Sequence, residues 1–372
     1  MIIYRYLAKE VLQTLLAVMV VLLLIFMGRY FALFLAAASA GEISGDIVVE
    51  ILLLRTITSL SVMVPFALFV AVLLAFGRLY KDSEMTALAA CGVGPGRVLM
   101  SVSLIALVCG LLVAGLSFWG TPWAHEKALQ VREQAQTGTA FESVSAGQFN
   151  KIGNERQVFY VESLSADHTR LNNVFVQSQA ADGRLDVFSA RSGYQRVDPE
   201  TGARYLVLVD GYRYQGSPGD VDFTIYQYEK NAVRLDEQDV APLRRTHWSI
   251  PTSALWGSAR AADKAELQWR FAMPLATLLL AVLAVLLSRT SPRQGRFAKL
   301  FIAILIFVTY YNSLGVAMSW VQRGVVPAAV GLWWVHVALL VLVAVLAVRL
   351  WGRRWVWQSL FGRNRHHESA AG

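Results

Sequence analysis

Charge is scarce in this chain. Only 16% of its 372 residues are Asp, Glu, Lys or Arg, while 55% are hydrophobic; an average soluble domain carries roughly 25% charged residues. Cysteine is almost absent, with Cys91 and Cys109 alone, so a disulfide scaffold is excluded. No lysine follows a glycine, which removes the phosphate loop that an ATP-hydrolysing chain would need. HExxH and GxSxG are missing, and His125, His168, His247, His336, His366 and His367 show no metal-ligand spacing. No catalytic residue, metal site or bound cofactor is therefore expected here; any ATP and Mg²⁺ would sit on a partner.

What the chain does have is long apolar runs. They lie near Val11–Leu35, Ile51–Phe76, Val98–Trp119, Phe271–Leu287, Leu300–Trp320 and Ala328–Val348. At 1.5 Å per residue each can cross ~30 Å of hydrocarbon. A helical membrane protein follows, with three spans before and three after a polar stretch from Thr121 to Glu266. The first run is roughly 25 residues long and is interrupted by Arg29. Both features favour a span over a signal core ending at Ala38-Ser39-Ala40.

The net charge of +8 is unevenly spread: residues 121–266 carry −3 and the remainder +11. The excess falls on alternate loops. Arg5 and Lys9 precede span 1, Arg78, Lys81 and Arg97 separate spans 2 and 3, Arg289 to Lys299 separate spans 4 and 5, and Arg353 onward follow span 6. The positive-inside tendency then places both termini in the cytoplasm and the polar insert outside. The expected organisation is spans 1–3 over 1–120, the insert with flanking helices over 121–268, spans 4–6 over 269–352 and a basic tail over 353–372.

Inside the insert the pattern shortens to alternating β-branched and aromatic runs: Gln157–Val161, Val174–Val176, Leu185–Phe188, Tyr205–Val209 and Val221–Tyr226. Turn formers separate them at Gly153-Asn154, Asp182-Gly183, Asp198-Pro199, Asp210-Gly211 and Ser217-Pro218-Gly219. A β-sandwich or jelly roll is the natural architecture. Thr121-Pro122 reads as the cap and first turn of a helix running on from span 3.

Between spans 2 and 3, the segment Gly77 to Gly92 contains a short helix. Asp82 or Ser83 can cap it, Glu84 stands in its first turn, Met85, Leu88 and Ala89 share a face, and Gly92, Gly94 and Pro95 end it. Such a helix is either a plain interfacial connector or a docking element for a soluble partner, with Arg78, Ser83, Glu84, Met85 and Leu88 as the docking candidates. Arg29 and Arg55 are charges at membrane depth, each costing about 2.5–3.5 kcal/mol at mid-bilayer. Either they snorkel to headgroups, or they pair with anionic groups of an amphiphile. Arg270 and Arg323, at the outer ends of spans 4 and 5, are weaker candidates of the same kind, and Phe26, Tyr30 and Phe69 are candidates for acyl-chain contact. Pro65 should kink span 2.

Several stretches together resemble the LptF/LptG permeases of the lipopolysaccharide export ABC transporter. They are Met1 to Glu10, Arg78 to Thr86 with Ala90-Cys91-Gly92, Gly147-Gln148-Phe149, Ala265 to Arg270 and Ser291 to Arg296. The resemblance covers essentially the whole chain. It implies a six-span inner-membrane permease with a periplasmic β-jelly roll between helices 3 and 4, paired with LptG. It further implies a drive from an LptB ATPase dimer, association with LptC, and delivery of lipopolysaccharide toward LptA. The Ser83 to Gly92 helix would be the coupling helix, with Glu84 as its acidic contact. The rival expectations are an LptG-like paralogue, a permease for another lipid or a lipoprotein, and a membrane sensor or scaffold.

Overall fold

The computed structural model describes residues 2–39, 45–137, 147, 149–152, 157–165, 170–179, 185–197, 204–216, 224–234, 246–289 and 296–353. Among them six helices are long and apolar enough to cross a membrane. The helices are α1 (Ile2–Ser39), α2 (Val48–Lys81), α3 (Glu84–Ala90), α4 (Pro95–Gly115), α5 (Thr121–Thr137), α6 (Thr252–Leu255), α7 (Ala261–Ser288), α8 (Arg296–Gln322) and α9 (Trp333–Trp351). Six strands, β1 (Phe149–Ile152), β2 (Gln157–Leu164), β3 (Arg170–Gln179), β4 (Leu185–Val197), β5 (Arg204–Gly216) and β6 (Thr224–Arg234), fall between α5 and α6. The chain divides into two compact units, one formed by Met1–Arg29, Leu53–Lys127 and Thr246–Gly372 and the other by Tyr30–Leu52 and Ala128–Arg245.

The first unit is built around α2, α4 and α7. Leu68, Phe69, Val72 and Phe76 of α2, Val102, Ala106 and Val113 of α4, and Ala272, Ala276, Leu280, Ala281 and Ala284 of α7 are all buried together. Alanine recurs on α7 because lipid tails are as apolar as any side chain, so span association depends on close backbone approach. Gly110 of α4 lies beside the Pro274 carbonyl of α7. Outside this trio the apolar faces are open: Leu16 and Leu24 of α1, Phe301 of α8 and Val337 of α9 are all exposed. Lipid or another subunit must cover them.

Spans 3 and 5 each carry a local departure. Span 3 does not end at Thr121: a five-residue π-helical turn, Leu116–Gly120, joins α4 to α5 in one continuous helix. Thr121 has helical dihedrals (φ −65, ψ −50) and its Oγ1 is buried without a hydrogen-bond partner, so it is not the cap that its sequence suggests. The wider turn accommodates Pro122, whose missing N–H leaves the Phe118 carbonyl without its usual donor. The Thr252 hydroxyl donates to that carbonyl at 2.6 Å. In span 5, Tyr310 meets His336 of α9 at 2.9 Å in a buried hydrogen bond. Helix α2 runs unbroken through Pro65.

The second unit's strands form one antiparallel sheet in the order β1-β2-β3-β4-β5-β6, a jelly-roll-like insert between spans 3 and 4 in sequence. Val161, Leu171, Val174, Val176, Phe188, Ala190, Leu206 and Leu208 pack on one face as its own core. Regular pairing is interrupted along a single row crossing the sheet: Glu162, Asn173, Arg191, Asp210 and Glu229. Asn173 and Asp210 in that row have left-handed φ of 49° and 57°, a conformation that short polar residues tolerate best. All five are exposed, and Asn173 donates to Glu162 while Arg191 pairs with Asp210 at 3.3 Å. One residue in each of β2 to β6 is thereby set aside on the outer face, so Leu171 and Val174, three apart, are both buried.

This row corrects one expectation. Asp210-Gly211 reads as a turn but lies in the middle of β5, which runs on to Gly216. Glycine is required there for space, since a Cβ would collide with the Ser189 carbonyl, the Tyr228 hydroxyl and Ala190 Cα. The remaining turn signals lie wholly outside the described residues. The strands also run further than the apolar runs suggested, β4 reaching Val197 and β3 starting at Arg170.

Candidate functional site

The connection between α2 and α4 holds the docking candidates. Ser83 occupies the position before α3, but with φ 62 its side chain makes no cap hydrogen bond, because a working N-cap needs extended backbone. Met85 is 6% exposed and belongs to the core of the first unit, with Leu88 packed partly against it. The apolar face that looked available to a partner therefore holds α3 down on its own chain. Ser83, Thr86, Ala87, Ala89 and Ala90 form the exposed surface. Glu84 accepts a hydrogen bond from the Tyr6 hydroxyl at 2.5 Å. Arg78, in the last turn of α2, pairs with Glu10 at 2.5 Å. Neither Tyr6 nor Glu10 was singled out by sequence, since 78 and 68 residues separate the partners.

The head of α7 is a second polar centre. Arg270 is 1% exposed, so it is removed from the lipid-contact candidates. Its Nε donates to Glu266 Oε1 at 2.9 Å, Nη1 to Thr252 Oγ1 at 2.7 Å, and Nη2 to the Ile250 and Trp248 carbonyls at 2.9 and 3.3 Å. Glu266 and Arg270 are spaced i, i+4 with the acid first, the favourable order on a helix. The planar guanidinium fork suits such multiple acceptance. Thr252 then passes the connection to the Phe118 carbonyl in the π turn, so one arginine fixes α7, the 248–255 segment and span 3 together. Two residues along, Gln268 donates to the Ala328 carbonyl and accepts from Leu332 N–H at 3.0 Å. It fills the space that a side chain at Gly331 (φ 41) would need. Beside the arginine, His247 lies 3.4 Å from Gln322 Nε2. Burial holds its pKa below the ordinary 6.5, aided by Arg270 and opposed by Asp263.

The other lipid-contact candidates divide by exposure. Phe69 is fully buried and stacked on Phe307 at 6.3 Å, a packing residue that no acyl chain reaches. Arg29, Arg55 and Arg323 are exposed, while Phe26 and Tyr30 are half-buried on α1. Tyr30 lies 6.0 Å from Phe34. Exposed Trp320 and Trp333 stand at the end of α8 and the start of α9, as amphipathic rings do at a membrane interface.

Six apolar helices, a sheet inserted between the third and fourth, and a short helix between the second and third agree with one family. The lipopolysaccharide export system permease family LptF/LptG matches residues 5–349. The chain belongs to the LptF/LptG family. Among its relatives are the lipopolysaccharide export system permease proteins LptF of Escherichia coli K12 and Shigella flexneri. Each is 28% identical over 353 residues, spanning 94% of this chain and 95% of its own length. This LptF/LptG chain is thus a lipopolysaccharide export permease, a multi-pass membrane subunit of a larger transport system.

Proposed function

We propose that the chain is the LptF-type half of an inner-membrane permease pair that extracts lipopolysaccharide, with LptG as the other half and an LptB dimer as the ATPase. The family match over residues 5–349 carries this reading. The scarcity of charge, with Lys/Arg clustered on alternate loops, supports cytoplasmic termini and a periplasmic sheet. The chain contributes no catalytic group, and ATP with Mg²⁺ is held on the ATPase. Helix α3 is the coupling helix; its exposed Ser83, Thr86, Ala87 and Ala90 meet the ATPase, and Glu84 supplies charge. Closing of the ATPase dimer moves α3, narrows the space between the two permeases and drives the lipid toward the sheet domain, LptC and LptA.

Lipid contact falls to Arg29, Arg55 and Arg323, whose guanidinium forks suit phosphates and carboxylates, with Phe26 and Tyr30 beside the acyl chains. Photo-crosslinkers at 29, 55 and 323 in the assembled transporter test this. Lipopolysaccharide adducts that diminish on ATP hydrolysis are expected. Adducts to bulk phospholipid alone, unchanged by ATP, would remove these arginines from the pathway.

A further inference from the structure

Helix α1 packs on the first unit most deeply at its start, with Leu15 and Met19 adding partly buried contacts further along. Leu7 and Val11 are its only buried side chains among the described residues, and they join the cluster containing Phe76, Leu79, Met85 and Val93. Beyond them Leu12, Leu16, Val20, Val21, Leu24 and Ile25 are exposed. Two polar links reinforce that same anchor. The Tyr6 hydroxyl donates to Glu84 Oε2, and Arg78 Nη2 donates to Glu10 Oε2. One turn of α1 thus ties both to the end of α2 and to the first turn of α3. Glu84 forms no ion pair with any described residue, so its second oxygen keeps its acceptor capacity for a cation from outside.

We propose that Tyr6 is a positioning residue for docking: its hydroxyl fixes the Glu84 carboxylate for a basic group of the ATPase and makes the start of span 1 part of the docking unit. The inference rests on the reading of α3 as the coupling helix. Glu84 extends from the first turn of a seven-residue helix, too short to be stable alone. A phenol held by the buried Leu7–Val11 anchor removes the rotamer freedom that such a carboxylate would otherwise lose on binding. The same bond carries displacement of α3 to the start of span 1.

The test titrates labelled ATPase dimer against the full permease pair in nanodiscs, with Tyr6→Phe, Glu84→Gln and the double variant of this chain. Tyr6→Phe is expected to raise the half-saturating ATPase concentration about tenfold, the order of one charge-assisted hydrogen bond. The maximal amount of complex should stay at the parent value, whereas a folding defect would lower that maximum without moving the midpoint. The double variant should be no weaker than Glu84→Gln alone, because Tyr6 acts only through Glu84. An unchanged midpoint for Tyr6→Phe, or effects that add, overturns the proposal. Ala87→Arg, on the exposed side of α3, separates the underlying reading: if it leaves docking intact, α3 is not the coupling helix.

Discussion

Replacing Arg270 by methionine should release the segment from Trp248 to Leu255 from the head of α7. The guanidinium makes four hydrogen bonds from a site 1% exposed. Its loss strands Glu266, 2% exposed, whose Oε2 has no hydrogen-bond partner and whose Oε1 then loses its own. Removing one member of a buried ion pair costs about 3–5 kcal/mol, mostly through the charge left behind. At 1.4 kcal/mol per tenfold, the opening equilibrium of the segment should rise by between about two and four powers of ten. The reporters are the amides of Ser249, bonded to the Thr246 carbonyl, and of Ala254 and Leu255, both bonded to the Pro251 carbonyl, followed by hydrogen exchange of the full chain in nanodiscs. Arg270→Met combined with Glu266→Leu should recover the part of the protection that the stranded Glu266 charge removes, while the Trp248 and Ile250 carbonyls still lack their donor. Unchanged exchange in the single variant, or faster exchange in the double than in the single, would refute the clamp.

Three further outcomes are expected. Gly211→Ala should destabilise the sheet by about 1–3 kcal/mol through overpacking against Ser189 and Tyr228, read as earlier proteolysis within residues 147–234 on heating. Tyr228 is already constrained there: burial pushes its pKa up to about 12, and its hydroxyl donates to the Ser189 carbonyl at 3.2 Å. Because burial lowers the His247 pKa, the unfolded segment takes up a proton more readily than the folded one. Its stabilising effect is complete above about pH 6.5 and is lost as pH falls through the folded value. The protection of the Ser249 amide, its exchange rate taken relative to the intrinsic rate at each pH, should fall between pH 7.5 and 5.5, and His247→Gln should flatten that dependence. Met85→Ala should loosen α3 by about 2–5 kcal/mol, the usual range for a buried methionine, seen as increased labelling of a cysteine placed at Val93.

The spans were legible in sequence because a bilayer demands about twenty apolar residues at a stretch, and nothing in residues 2–353 competes with that signal. The strands were legible where alternation was apolar, as at Tyr205–Val209. It failed past Asp210, where a turn signal was used to set one residue aside in the strand instead of reversing the chain. The short helix before Gly92 was visible from its stop signals, but the sequence leaves open whether its apolar face meets a partner or its own chain. Periodicity tells which residues share a face and not what covers it. Arg270 and Phe69 show the same limit, a charge at the outer end of span 4 and a ring within span 2 that both serve packing. Glu266 and Arg270 could have been paired from their spacing alone; Thr252, Trp248 and Tyr6 could not, since contacts across a long separation leave no local trace.

Transport itself gives the most direct test of the central claim. The permease pair and its ATPase, reconstituted in proteoliposomes with LptC and lipopolysaccharide, are offered soluble LptA carrying a photo-crosslinker, and adducts are counted over time. ATP-dependent lipopolysaccharide adducts that vanish with Ala87→Arg in this chain, while the isolated ATPase still hydrolyses ATP, are the predicted result. Transfer that proceeds undiminished with Ala87→Arg, or that needs no ATP, would contradict the account.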